Sequence, residues 1–456
     1  MSEPTNARTH FYHVALLLMG ASGGCQAQDH VIGTKTSVAN VSAAGTAGGQ
    51  PAMDGGAAAG GVAGSGRGGT AGSVPSGLSG VGGVGGALGG GVNTGGSLAG
   101  SGGQRSVRAS GDGTFASLVE YPTGDSPRSL SLGDVNADGR LDLVLASWNG
   151  GNVSVLLGVG DGTLEPRVDY ATENKANWVT LADLNSDGVL DIALVNYDSD
   201  TLKVLLGTGG GSFGEMTAFP GSKNMFSVAV GDVNRDGNLD IAASGGELGS
   251  TSVLLGSGDG KFGQPKFLAD EGSSFSVALA DLNGDGNLDL ARANAVAQSV
   301  TVLFGAGDGS FLESKAYATA SFPTFVTFED LNGDGQLDMV TADSSSDEVG
   351  VRLGVGAGDF GPRSRYTTGS YPSYVSLADL NGDRILDMVV VNFYAESISV
   401  RAGNGDGSFA ASVEYATGMY PEMSAVGDLN GDDVPDLAIV NSVSNSVSVF
   451  LGVPAK

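Results

Sequence analysis

The chain is 456 residues long, carries a formal charge of −28, and contains one cysteine and three histidines. A single cysteine excludes an internal disulfide framework or a cysteine metal cluster, and so acidic a surface repels polyanions, which excludes a nucleic-acid partner. His10, His13 and His30 all precede the repeats described below, so Ser-His-Asp and Cys-His mechanisms are excluded from the repeats.

Residues 1–24 read as an export signal: Arg8 in a short polar start, the apolar stretch Val14 to Met19, then the small residues Gly20 to Gly24. Glu3 and the shortness of the apolar stretch make it an atypical one. Gly24-Cys25 resembles the lipobox of bacterial lipoproteins, with Ser22 where that motif usually has Leu. The resemblance implies that Cys25 is lipidated, and the alternative is simple secretion. The expected location is therefore the cell surface or outer membrane, with a membrane touched only through that anchor. No apolar run approaches the roughly 20 residues of a spanning helix.

From residue 25 to 108 the composition falls to Gly, Ala, Ser, Val and Thr, too little apolar bulk to offset chain entropy. A Gly-rich coil of about 80 residues reaches near 50 Å. It is expected to be a disordered tether for whatever follows.

From residue 109 to 453 one unit of 49 residues returns seven times, which has to be settled before any local reading. Each copy opens on Asp-x-Asn-x-Asp with a final Asp at position nine. The candidate metal ligands are Asp134, Asn136, Asp138 and Asp142 with the Arg140 carbonyl, then Asp183, Asn185, Asp187 and Asp191 with Val189, and Asp232, Asn234, Asp236 and Asp240 with Asn238. They continue with Asp281, Asn283, Asp285 and Asp289 with Asn287, and Asp330, Asn332, Asp334 and Asp338 with Gln336. The last two sets are Asp379, Asn381, Asp383 and Asp387 with Ile385, and Asp428, Asn430, Asp432 and Asp436 with Val434. Oxygen ligands at positions 1, 3, 5, 7 and 9 of a tight turn suit calcium, which takes six to eight oxygens at about 2.3–2.6 Å. A helical calcium loop is excluded, because position 12 is Leu145 rather than Glu and an apolar run of strand length follows.

After each loop come an apolar strand such as Asp191 to Val195, a variable loop, and a second strand such as Val153 to Leu157 closed by glycine. That glycine recurs at 158, 207, 256, 305, 354, 403 and 452. A Gly-Asp-Gly hairpin follows, then a strand ending on an aromatic at 121, 170, 219, 317, 366 and 415, and a strand such as Val228 to Val230 leading to the next loop. Four antiparallel strands per unit of about 50 residues predict an all-β, seven-bladed β-propeller of four-stranded antiparallel blades. Residues 114–121 are expected to supply the outermost strand of the last blade, leaving no long unpaired edge.

The loop motif, the Gly-Asp-Gly-x-Phe hairpin and the spacing resemble the FG-GAP and VCBS repeats of integrin α-chain propellers and exported bacterial proteins. The resemblance implies up to seven structural calcium ions between each blade's first and second strands, and adhesion or ligand binding elsewhere. Filling all seven sites returns 14 charges to a chain in which positions one, five and nine of these loops hold 21 of the 50 acidic residues. At dissociation constants of about 10⁻⁴ to 10⁻³ M, millimolar calcium contributes roughly 0.4–1.4 kcal/mol per site. Copies six and seven depart from the motif, with Arg384 and Asp433 in place of the turn glycine, and a left-handed position tolerates Asp better than Arg. Copy six is thus the expected weakest site.

Metal loops and Gly-Asp-Gly hairpins should share one face of the disc, and the variable loops the other, where binding is expected. The ligand-binding candidates there are the out-of-phase aromatics Trp148, Tyr197, Phe393 and Tyr394 in one loop class, and Trp178, Phe325 and Tyr374 in the second. Exposed aromatic platforms suit sugar rings or protein partners. The expected function is that of a monomeric binding module for a polysaccharide or surface protein. The alternative is a glycosidase or lyase using carboxylates such as Asp198, Asp200, Asp347, Glu348 or Glu396.

Overall fold

The computed structural model describes residues 111–455 apart from 174, 247–249 and 270–272. The expected export signal, Cys25 and the Gly-rich stretch to residue 108 lie outside the described residues. The second strand of each blade shows why the architecture arises. Asp191–Asn196, Asp387–Asn392 and their equivalents are buried along their whole length, because blades cover both faces of a central strand and its sequence need not alternate. Outermost strands such as Val168–Ala171 and Val413–Ala416 are exposed at all but one position.

Seven four-stranded antiparallel sheets result. In the first, Pro127–Gly133, Asp142–Ser147, Asn152–Leu156 and Val168–Ala171 pair in chain order. The innermost strand of each blade packs on that of the next, and Pro421–Gly427 of the seventh packs on Pro127–Gly133 of the first, so the ring closes. Its core lies between blades, as where Val144, Val153 and Val155 meet Val179, Ile192 and Leu194. Among the described residues there is no α-helix.

Closure uses both ends of the array. Val119–Pro122 pairs with Ser446–Phe450 as the outermost strand of the seventh blade. Gly111–Phe115 pairs separately with Gly452–Pro454. The expected strand over 114–121 is thus present as two pieces broken at residues 116–118.

Two contacts fasten neighbouring blades. Hairpin glycines donate to the preceding blade's metal loop: Gly211 N–H to the Val135 carbonyl (3.1 Å), Gly309 to Val233 (3.1 Å), and across the seam Gly162 to Leu429 (3.1 Å). These bonds place hairpins and metal loops on one face. The recurring aromatics make the second contact. Tyr170 meets Phe213, Tyr317 meets Phe360 and Tyr366 meets Phe409 edge-to-face at 5.0–5.6 Å, each ring pairing with the hairpin aromatic of the following blade. They belong to the packing between blades.

Candidate functional site

The seven loops fold alike because their side chains bind their own backbone. In each, the position-one carboxylate accepts the amide of residue six at 2.8–2.9 Å, and the position-five carboxylate accepts the amide of residue seven at 2.8–2.9 Å. Such Asx turns need a left-handed residue at position six. Gly139 has φ of 84°, and Arg384 and Asp433 are forced to 69° and 63° at the same point. Copies six and seven therefore keep the turn. In copy six, however, the bond from the Asn amide to the position-five carboxylate, made at 2.9–3.1 Å in the other six loops, is not formed among the described residues.

Position nine does something the sequence did not disclose. Asp142, Asp191, Asp240, Asp289, Asp338, Asp387 and Asp436 are buried. Each accepts the amide of loop residue two with one oxygen, at 2.8–3.0 Å. The other oxygen accepts the amide of the recurring glycine at 2.7–2.9 Å. This stitch explains the glycine. A Cβ on Gly305 would lie 2.1 Å from the Leu288 carbonyl oxygen, and the other six would meet the equivalent carbonyl at 2.1–2.5 Å. Burial pushes the Asp289 carboxyl up to about 6, against the lowering effect of its two amides, and Asp285 and Asp281 push in the same direction as burial.

Among the described residues no three acidic or imidazole side chains gather into a ready-made cluster. The donors nonetheless fit a hard cation in kind. Positions one and three, half-buried, and position five, exposed, bring side-chain oxygens to one turn, and a carboxylate oxygen that accepts one amide retains a second lone pair. Each oxygen of position nine likewise accepts one amide and retains a second lone pair.

On the opposite face the repetition breaks down. The second residue of the innermost strand, or its equivalent, is Arg128, Asn177, Phe226, Phe275, Thr324, Ser373 and Glu422 in blades one to seven. Sharing one register position, these side chains ring the axis and line a cavity of about 90 Å³. Neighbours in the ring bind each other. Asn177 donates to the Phe226 carbonyl (2.9 Å) and Ser373 to the Glu422 carbonyl (2.8 Å), Phe226 stacks on Phe275 with centroids 4.2 Å apart, and Arg128 approaches Glu422 at 3.7 Å across the seam. Burial raises the Glu422 carboxyl, with Arg128 opposing it, and lowers the Arg128 guanidinium. The Arg128 guanidinium also lies 4.0 Å over the Trp148 ring.

The candidate aromatics gather here, but not as exposed platforms. Trp148, Tyr197, Phe325, Tyr374 and Phe393 are 2–8 % exposed, and Trp178 and Tyr394 are half-buried. Their rings pack on one another, Trp148 on Tyr197 at 5.3 Å and Phe325 on Tyr374 at 4.1 Å, because clustering removes apolar surface from water. Trp178, Phe325 and Tyr374 also lie in innermost strands (Ala176–Ala182, Pro323–Glu329, Pro372–Ala378) rather than in loops. A left-handed residue just before the strand, Lys175, Phe322 or Tyr371, turns the chain into it sooner than expected. Trp178, Phe325, Tyr374 and Phe393 line the axial cavity.

Sequence reasoning missed Arg128, Asn177, Phe226, Phe275 and Glu422. A column of the repeat holding six residue types among seven copies was the available signal. The carboxylates considered for catalysis are dispersed over blades two, five and six. Asp198 pairs with Lys175 (2.6 Å), Glu348 with Arg363 (2.7 Å), and Asp347 accepts the Tyr371 amide (2.8 Å).

Comparison with known proteins bears on the fold. BBS1N, in a complex with ARL6DN soaked with lead, superposes with a TM-score of 0.55 at 10% identity, over 74% of this chain and 96% of that chain. A lectin of Agrocybe aegerita that recognises non-reducing terminal N-acetylglucosamine gives 0.49 at 19% identity, over 73% and 96%. A functionally unknown protein from Desulfotomaculum acetoxidans gives 0.49 at 12%, over 67% and 90%. At 10% identity the likeness to BBS1N speaks to the fold alone. The comparison with curated proteins gave no match. The model of the FG-GAP-like repeat matches residues 134–194, 183–243, 240–292, 330–390 and 379–439, more than half of the chain, and the protein belongs to that family.

Proposed function

We propose that this protein is an exported, calcium-stabilised binding module that recognises a polysaccharide or a surface protein, acts as a monomer, and is either held at the cell surface through a lipidated Cys25 or secreted. Propellers of this repeat family are typically non-catalytic binding modules. The observation that carries the reading is the contrast between the two faces. The loop face repeats one hydrogen-bond network seven times, while the axial mouth opposite presents a cation, an anion, an amide, two hydroxyls and two phenyl rings in a single column of the repeat. A rigid ring that varies at one place is suited to specific recognition.

Calcium, when bound, would neutralise the carboxylates of each turn, and positions one, three, five and nine with the carbonyl of position seven would hold it. The stitch at position nine fixes the loop against the third strand with or without the ion. The test is to incubate the full-length protein and calcium with a panel of polysaccharides and surface proteins. Retention without cleavage supports a binding module. New reducing ends or unsaturated products would overturn it in favour of a glycosidase or lyase.

A further inference from the structure

Resting on the reading of a binding module, the geometry points to the axial cavity as a site for the chain end of a neutral glycan, entered along the axis by a single terminal ring. Size argues for an end rather than a length of chain. About 90 Å³ is smaller than the roughly 150 Å³ cavity that takes up one benzene, room for the edge of one ring and its substituents and too little for a polymer laid through it.

Charge argues for a neutral group. Arg128 and Glu422 stand 3.7 Å apart at the cavity wall, so an anionic sugar meets a carboxylate and a cationic group meets a guanidinium, while a molecule of net charge −28 repels acidic polymers at a distance. A purely apolar group would cover these two charges without hydrogen-bonding them, which is unfavourable. Adjacent hydroxyls can serve both, one accepting from the guanidinium and one donating to the carboxylate.

The walls complete the match. Trp178, Phe226, Phe275 and Phe325 put aromatic carbon in the walls, against which the C–H groups of a sugar can pack. The Trp178 indole N–H is buried and has no acceptor among the described residues. A buried donor of this kind ordinarily has a partner, and a turn of the half-buried indole toward the cavity brings its N–H to a ring or hydroxyl oxygen of the sugar.

The experiment measures binding of the full-length protein, by calorimetry and on an array, to linear neutral oligosaccharides of gluco, galacto and manno configuration, their uronic-acid and amino-sugar counterparts, and cyclic oligosaccharides that have no ends. Binding to linear neutral chains is expected, at least tenfold weaker for cyclic chains of the same sugar and for charged chains. Trp178→Phe, which keeps the ring and removes the N–H, and Glu422→Gln should each weaken binding at least tenfold, while Phe267→Ala on the outer rim leaves it unchanged. Melting curves show that each variant is folded, and Trp178→Phe decides the matter if Glu422→Gln is not. Equal binding of linear and cyclic chains, unchanged affinity in Trp178→Phe, or a preference for charged chains would overturn this site while leaving the binding module standing. Failure to bind any glycan, with retention of a surface protein instead, would overturn the site and the polysaccharide half of the proposed function together.

Discussion

Replacing Asp289 by Ala tests whether position nine holds the blade together through its amides or through a metal. Asp289 is fully buried and accepts the Leu282 amide at 3.0 Å and the Gly305 amide at 2.8 Å. Its removal leaves two buried donors, each costing about 1–3 kcal/mol, so the variant should lose roughly 2–6 kcal/mol. Asp289→Asn retains one acceptor and should lose about half of that. At about 2 °C per kcal/mol for a ring of this size, Asp289→Ala should melt roughly 4–12 °C lower by circular dichroism. The scan is run once in millimolar calcium and once in excess chelator, and the drop should appear in both. A drop seen only with calcium would refute the reasoning, because position nine would then act through the ion.

Exhaustive chelation itself should lower the melting temperature, since roughly 0.4–1.4 kcal/mol per site by mass action is withdrawn, and identical melting in calcium and chelator would remove the ion from the account. Arg384 stands at φ of 69° in copy six, a conformation costing about 1–2 kcal/mol for a residue with a Cβ. Arg384→Gly should therefore gain about 1 kcal/mol in urea unfolding, and a loss would show that the arginine side chain contributes more than its strain removes. In blade five Asp343 is fully buried beside Arg363, and burial outweighs that partner to raise its carboxyl. The charge therefore costs nothing below the unfolded carboxylate value of about 3.9 and its full penalty above the raised folded value. Asp343→Asn should compare better with the parent at pH 7 than at pH 4 in urea midpoints, and the opposite trend would show that Arg363 prevails over burial.

The fold was legible because its determinants are local and repeated. A 49-residue period, a glycine with no room for a Cβ and an Asx turn each act within one blade, so seven copies state the same constraint. Contacts between side chains distant in the chain were less visible. Asp142 reads as a ligand from its spacing, and only the position of Gly158, sixteen residues on, shows the carboxylate bonding to backbone. Trp148 and Tyr197 read as exposed because loops usually are, yet burial depends on what faces a side chain across the axis. Arg128 and Glu422 could not be paired from sequence at all, since the ring has to close before residues 294 positions apart become neighbours.

That the seventh sheet draws its outer strand from Val119–Pro122 and its other three from Pro421–Phe450 governs when the protein can mature. During synthesis six blades can form in turn from contiguous chain, each leaving a bare flank for the next. The first of them keeps one side uncovered until residues near 450 emerge. A ribosome stalled short of that point holds an open arc with greasy faces at both tips, and only a single late act of closure hides them.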